Sequence, residues 1–287
     1  MKVIDIHIHG GFGISFDNAK KEDINLFAKL AHKKGIMAFC PTLTGGTIEE
    51  LNKRIKNIHL AKLSQKEDEA LIIGANLEGT FLSKEKPGVQ NPNNFLEPTI
   101  ENFKKIAGEF EEDIKIVVIA PENKNCDEFI NYLKSKNIKV HFGHTQTNSL
   151  IGADGINHLY NAMEPMTHKK ETLIIKALLD ENIYTELIAD TKHVVEDVLK
   201  LTFKIRPKNK ILLISDALPI ANSNLEKIEF CNKTVLKTGY DEKGILGGSV
   251  MLLPDIVSNL IKKGIITEEE ANLMAYENQK NYLKLML

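Results

Sequence analysis

Two imidazoles stand two residues apart at the end of the first apolar run of the chain, Val3-Ile4-Asp5-Ile6-His7-Ile8-His9. Residues two apart in a strand face the same side, so His7 and His9 would form a chelating pair at a strand end. Later apolar runs finish in groups of the same kind. Leu77-Glu78-Gly79 ends one, Phe142-Gly143-His144-Thr145 another, Asn157-His158-Leu159-Tyr160 lies within a third, and Ser215-Asp216-Ala217 ends the last. Alone, His144 or His158 would suit a hydrogen-bonded core histidine, and Glu78 an ion-pair partner. Four histidines, one glutamate and one aspartate at strand ends favour a single shared site. Neutral imidazoles with a carboxylate suit one or two borderline divalent cations, zinc, iron, cobalt or manganese, among which ligand type does not choose. A cation with an open coordination position lowers the pKa of bound water toward about 7 and polarises a carbonyl. Hydrolysis also needs a group to take the water proton and deliver it to the leaving atom, and Asp216 is the candidate acid and base. His193, three residues past the run that ends at Asp190, either hydrogen-bonds the carbonyl oxygen as charge develops there or faces solvent at the start of a helix.

Positioning these groups requires a repeating scaffold, and the apolar runs supply one. Strands are predicted at Val3–His9, Phe39–Leu43, Ile72–Glu78, Ile114–Ala120, Lys139–Thr145, Gly155–Met163, Tyr184–Asp190 and Ile211–Asp216. Between them, apolar positions three and four apart predict helices at Glu22–Lys34, Ile48–Leu63, Thr99–Phe110, Asp127–Lys136, a short piece after Thr147, Leu173–Glu181 and His193–Phe203. Two more helices, near Val250–Lys263 and Thr267–Leu285, finish the chain, the last with a capping box of Thr267 and Glu270. Eight strands alternating with helices, several of them nearly continuous apolar runs, predict an α/β fold, the (β/α)8 TIM barrel, over residues 1–287 as one catalytic domain. Active sites in that fold form at the C-terminal strand ends, where the candidate residues fall.

Composition narrows the function classes. With 287 residues, 43% hydrophobic, 26% charged and a formal net charge of -2, the chain reads as an ordinary soluble globular protein. Its lysines are interspersed with Glu and Asp along predicted helices, which argues against a nucleic-acid partner. No apolar stretch nears the roughly 20 residues that span a bilayer, and no cleavage pattern precedes the first strand, so a cytoplasmic protein is expected. Cys40, Cys126 and Cys231 are widely spaced and odd in number, which fits reduced packing residues.

The motifs also resemble a known family. Ile4-Asp5-Ile6-His7-Ile8-His9-Gly10, Pro41-Thr42-Leu43, Leu77-Glu78-Gly79 with Phe81-Leu82, Ala120-Pro121-Glu122, Gly143-His144-Thr145, His158-Leu159-Tyr160-Asn161-Ala162-Met163, Ala189-Asp190 with His193-Val194, Ser215-Asp216-Ala217 and Leu246-Gly247-Gly248-Ser249 follow one another in family order. In these the chain resembles the N-acetylglucosamine-6-phosphate deacetylases of the amidohydrolase superfamily. The resemblance implies that Glu78, His144 and His158 hold the main metal, with His7 and His9 belonging to a second position that Glu78 can bridge. It implies Asp216 as catalytic acid and base, His193 as a catalytic group in contact with substrate, Asn161 and Ala162 against the sugar phosphate, and Leu246 as a further substrate contact. The implied reaction is hydrolysis of an acetamide to acetate and an amino sugar phosphate. Thr80–Phe95 looks like a cover over the site.

Three departures accompany the resemblance. Family members carry a small β domain built from residues before the first barrel strand and after the last helix, and here both segments are expected to be absent. Gly88-Val89-Gln90-Asn91-Pro92 places Gln90 where the family has a substrate-contacting imidazole. His168-Lys169-Lys170-Glu171-Thr172 places Lys169 where relatives carry an arginine that reaches the sugar phosphate across a subunit interface, so phosphate affinity or the geometry of a homodimer is expected to differ. Another amidohydrolase, acting on a different N-acyl or cyclic amide, is the enzymatic alternative. The run Ile119-Ala120-Pro121-Glu122 lacks the bridging lysine that some superfamily members use, which favours the deacetylase branch. A barrel that binds amino sugar phosphates without turning them over is the remaining alternative, and Asp216 argues against it.

Overall fold

Strands that are apolar on both faces need cover on both, and here they find it inside and outside a barrel. The fold is that of a computed structural model, which describes residues 1–124 and 126–287. Eight parallel strands follow one another in chain order along one sheet, β1 (Val3–Ile8), β2 (Ile36–Leu43), β3 (Ala75–Phe81), β4 (Ile114–Ile119), β5 (Lys139–Phe142), β6 (Gly155–Ile156), β7 (Tyr184–Ile188) and β8 (Ile211–Ile214), and a short ninth, Leu71–Ile72, pairs with β2. The sheet returns on itself where Asp216 N–H donates to the His7 carbonyl at 2.9 Å and Ile8 bridges Ala217 in parallel. Helices α1 (Lys21–Lys34), α2 (Ile48–Leu63), α3 (Ile100–Ala107), α4 (Cys126–Ser135), α5 (Leu173–Leu179), α6 (Glu196–Ile205) and α7 (Leu253–Lys262) carry their buried residues at helical spacing. Phe27 of α1, Ile55 of α2 and Phe129 of α4 are fully buried in the layer between helices and sheet. A smaller cluster inside the barrel joins Ile4, Ile6, Cys40, Ile116, Ile188 and Ile214. The fold is the predicted nearly closed TIM barrel, and no helix among the described residues is long and apolar enough to cross a membrane.

Differences from the predicted elements have local causes. The helix expected after Thr147 is replaced by successive hydroxyl turns, in which Thr145, Thr147 and Ser149 side chains accept the backbone N–H groups of Thr147, Ser149 and Ile151. The fifth strand stops at Phe142 and the sixth at Ile156. Left-handed backbone at His144, Tyr160 and Ala162 (φ 47°, 82° and 50°) interrupts extended structure there. The helix expected from His193 starts at Glu196, because Asp190 Oδ1 first takes the N–H groups of Lys192 and His193 into a turn. The final helix keeps its Thr267 and Glu270 capping box but divides into α8 (Glu268–Asn272), a π turn over Leu273–Glu277 and α9 (Asn278–Tyr282). A hairpin that the sequence did not reveal, β9 (Lys227–Phe230) with β10 (Lys233–Leu236), turns on left-handed Cys231 and Asn232. Two consecutive positive φ values make a two-residue hairpin turn, for which cysteine is an uninformative marker.

Candidate active site

The C-terminal strand ends bring the predicted groups together. Glu78, in the middle of β3, is the shared centre: its Oε1 lies 3.2 Å from His144 Nε2 and 2.8 Å from His158 Nε2, and its Oε2 lies 3.5 Å from His7 Nε2 and 3.1 Å from His9 Nε2. Asp216 faces the same pair, Oδ1 being 3.4 Å from His7 Nε2 and 3.1 Å from His9 Nε2. The ring nitrogens of His144 and His158 are 3.1 Å apart. Such spacings approach the edge of about 3.3 Å expected of a tetrahedron with metal–nitrogen bonds of about 2.0–2.1 Å. Among the described residues two donor triads have all their ligand atoms within 4.8 Å of one another, His7, His9, Glu78 and Glu78, His144, His158.

The far nitrogens decide what these rings offer. His144 Nδ1 donates to the Lys86 carbonyl at 2.8 Å, His9 Nδ1 to the Thr42 carbonyl at 3.3 Å, and His7 Nδ1 to the Glu186 carboxylate at 2.9 Å. Each partner is an acceptor only, so each neutral ring turns a bare Nε2 lone pair toward a carboxylate oxygen. That arrangement is repulsive without a cation or proton between them, and it fits a divalent metal. The protonation equilibria report the same field. Burial opposes charge on His7, but Glu78, Glu186 and Asp216 together hold its pKa well above the usual imidazole value. Burial likewise opposes charge on His9, yet hydrogen bonds to Asp216 and Glu78 push it up to about 9. Burial would raise Glu78, and the surrounding imidazoles hold it well below the usual carboxylate range.

The remaining candidates line a cavity of about 180 Å³ above this cluster. Asn161, Ala162, His193 and Leu246 border it, as do Gly88 and Val89 from the loop after β3. His193 Nδ1 donates to Asp190 Oδ2 at 2.8 Å, which leaves Nε2 as its free nitrogen. Burial would raise Asp190, but the bonds from His193 and the backbone outweigh it and lower its pKa. Gln90 also borders the cavity, with its amide already engaged: Nε2 donates to the Glu78 carbonyl at 3.0 Å and Oε1 accepts Gly45 N–H at 3.2 Å. Lys169 is exposed and does not border the cavity. Glu122, three residues past the end of β4, accepts the Thr145 hydroxyl and Gln146 N–H and stays outside the cluster.

Sequence reasoning missed Glu186, His141, Asn157 and Phe230. Asn157 donates to Glu78 Oε1 at 2.8 Å, and Phe230 of the unexpected hairpin packs edge-on against His9, centroids 5.1 Å apart. For Glu186 and His141 the available signal was an ionisable residue in mid-strand, rare unless paired.

No family model matches the sequence. The chain is 31% identical over 262 residues to the N-acetylglucosamine-6-phosphate deacetylase of Bacillus subtilis, covering 87% of this chain and 66% of that one. The chain belongs to the N-acetylglucosamine-6-phosphate deacetylase family. It is 27% identical over 282 residues to the N-acetylgalactosamine-6-phosphate deacetylase of Escherichia coli, covering 95% of this chain and 74% of that one. Among solved structures, an N-acetyl-D-glucosamine-6-phosphate deacetylase variant from Mycobacterium smegmatis, in complex with N-acetyl-D-glucosamine-6-phosphate, superposes with a TM-score of 0.91. At 20% identity it covers 99% of this chain and 77% of that one and supports the fold. The chain thus spans about two thirds to three quarters of the length of the curated relatives it matches.

Proposed function

We propose that the chain is a metal-dependent deacetylase that hydrolyses the acetamide of N-acetylglucosamine 6-phosphate, or a close N-acetyl amino sugar phosphate, to acetate and the amino sugar phosphate. The observation that carries this reading is the convergence of two donor triads on Glu78, with Asp216 and His193 at the same small cavity. Glu78, His144 and His158 would hold the main ion, and His7, His9 and Glu78 a second. A bound ion supplies Lewis-acid polarisation of the amide carbonyl and an acidified water. Asp216 takes the proton from the attacking water and gives it to the departing amine. His193, held through Nδ1 by Asp190, presents Nε2 to the substrate oxygen. Phe230 and the loop carrying Gly88 and Val89 limit water around the reacting atoms.

Substrate identity rests on the departures. Gln90 is tied to Glu78 and Gly45, and Lys169 lies outside the cavity of its own chain, so Lys169 would reach a phosphate only from a second copy. The reading therefore includes a homodimer, and it treats residues 1–287 as one catalytic barrel in the cytoplasm, where phosphorylated sugars are held. Acetate release should be measured from the 6-phosphates of N-acetylglucosamine and N-acetylgalactosamine and from both unphosphorylated sugars. A preference for either phosphate of at least tenfold in kcat/KM supports the reading. Equal rates with and without phosphate would contradict the phosphate part of it.

A further inference from the structure

Behind the candidate centre, on the side away from the cavity, buried polar groups continue through the barrel. Glu186, in the middle of β7 and fully buried, has Oε2 2.9 Å from His7 Nδ1, and the same oxygen accepts the His158 backbone N–H at 3.3 Å. Its Oε1 lies 3.1 Å from Nδ1 of His141 on β5, off the hydrogen-bond axis, and neither atom has another partner among the described residues. His141 Nε2 in turn meets the Tyr282 hydroxyl of α9 at 2.8 Å. Tyr282 packs on Tyr184, at the N-terminal end of β7, with ring centroids 4.6 Å apart. His7, His141 and Glu186 are wholly inaccessible and Tyr282 is 4% exposed.

Proton placement along this line has one consistent solution. A carboxylate accepts only, so Glu186 Oε2 takes the N–H of His7 Nδ1, and its Oε1 faces the N–H side of His141 at Nδ1. The Tyr282 hydroxyl then donates to the bare Nε2 of His141. On His7 the bare nitrogen is Nε2, which faces Glu78 Oε2 and Asp216 Oδ1 and has no hydrogen-bond partner among the described residues. Placing a charge in a barrel interior is unfavourable unless it is paired, and an apolar residue would fill the same volume without that penalty.

We infer that Glu186 is the positioning residue of the candidate metal centre, locking His7 as the Nδ1–H tautomer and joining His7 to the His158 backbone through one oxygen. The inference rests on reading the cluster as a metal centre. Glu186 touches neither substrate nor ion, and it acts by aiming His7 Nε2 and strengthening its lone pair.

The test uses Zn2+ alone as probe. Zn2+ affinity of wild type and Glu186→Gln is measured by competition with a chelator. Long-range 1H–15N spectra of the metal-free proteins, recorded at a pH high enough for the His7 ring to be neutral, report which nitrogen of His7 carries the proton. Wild type should show His7 protonated on Nδ1. In Glu186→Gln the weaker of two Zn2+ equivalents should bind roughly 10–100-fold less tightly, and the His7 tautomer should become mixed while thermal unfolding stays cooperative. Tyr282→Phe, which leaves Glu186 in place, should shift the His141 resonances and change Zn2+ affinity less than threefold. Unchanged Zn2+ affinity and tautomer in Glu186→Gln would overturn the inference. So would equal Zn2+ losses in the two variants, because the effect would then follow core packing and not the carboxylate. If Glu186→Gln does not fold, the wild-type spectrum decides, and a proton on His7 Nε2 overturns the inference. Wild-type protein that binds no Zn2+ contradicts the metal-centre reading itself, whereas normal wild-type uptake with an unaffected variant contradicts the role of Glu186 alone.

Discussion

The backbone of Asp216 is left-handed, φ 50°, a conformation that disfavours a non-glycine residue by roughly 1–3 kcal/mol. It is held there by the closing bond of the barrel to His7, and it sets the carboxylate over the His7 and His9 nitrogens. Replacing Asp216 by Asn should lower kcat for acetate release by about 10²–10⁴-fold while metal content, read by elemental analysis, stays at the wild-type level. Loss of the metal together with activity would show Asp216 to be a ligand first. His193→Asn, which keeps a polar amide but removes the ring that Asp190 holds, should reduce kcat by about 10²-fold or more. A change below threefold would remove His193 from the chemistry. At this scale the sequence was legible wherever an imidazole or carboxylate ended an apolar run, as at Glu78, His144 and Asp216. It was not legible for Glu186 and His141, whose partners lie on other strands and whose positions inside Thr185-Glu186-Leu187 and Val140-His141-Phe142 look like interruptions of a core.

Between Glu78 and the loop that borders the cavity stands Gly79, φ +139°, where a Cβ would fall within the contact radii of the Gly45 nitrogen and Gln90 Oε1. Gly79→Ala should therefore separate the loop after β3 from the loop after β2, lowering stability by roughly 1–3 kcal/mol in denaturant titrations and raising KM more than it lowers kcat. A variant with wild-type stability and KM would show that this close approach is dispensable. At the other end of the barrel, Asp113, just before β4, is paired with Lys62 and His59 of α2. Burial would raise its pKa, but the Lys62 ammonium and the bond to the His59 ring outweigh it and hold the carboxyl below its ordinary value of 3.8. A carboxylate depressed in the folded state contributes fully above that ordinary value and loses its contribution as pH falls through 3.8 toward the folded pKa. Acid-dependent stability should accordingly be less steep below about pH 4 in Asp113→Asn than in wild type, and coincident slopes would contradict the pairing. Helix periodicity made α2 legible to its last residue. The ends of β5 and β6 were read too long because left-handed turns at His144, Tyr160 and Ala162 leave no mark in residue type, whereas β3 runs on past the predicted Glu78 to Phe81.

Closure of the sheet between β1 and β8 is what makes one site from distant segments, since it seats His7 and His9 beside Asp216, more than two hundred positions away. Eight alternating strands and helices made the barrel legible as a whole, because each apolar run had to be covered on both faces. The hairpin of β9 and β10 was not legible, although it brings Phe230 to the cavity, because its strands are short and only partly buried. The molecule-wide claim is that this barrel is a metal-dependent deacetylase, and it is tested most directly by measuring acetate release and metal content on one sample. Protein stripped by a chelator and titrated with Zn2+, Fe2+, Co2+ or Mn2+ should gain acetate release from N-acetylglucosamine 6-phosphate or N-acetylgalactosamine 6-phosphate in proportion to bound metal, reaching a plateau at one or two ions per chain. Fully metal-loaded protein that releases acetate from neither sugar phosphate would contradict the account.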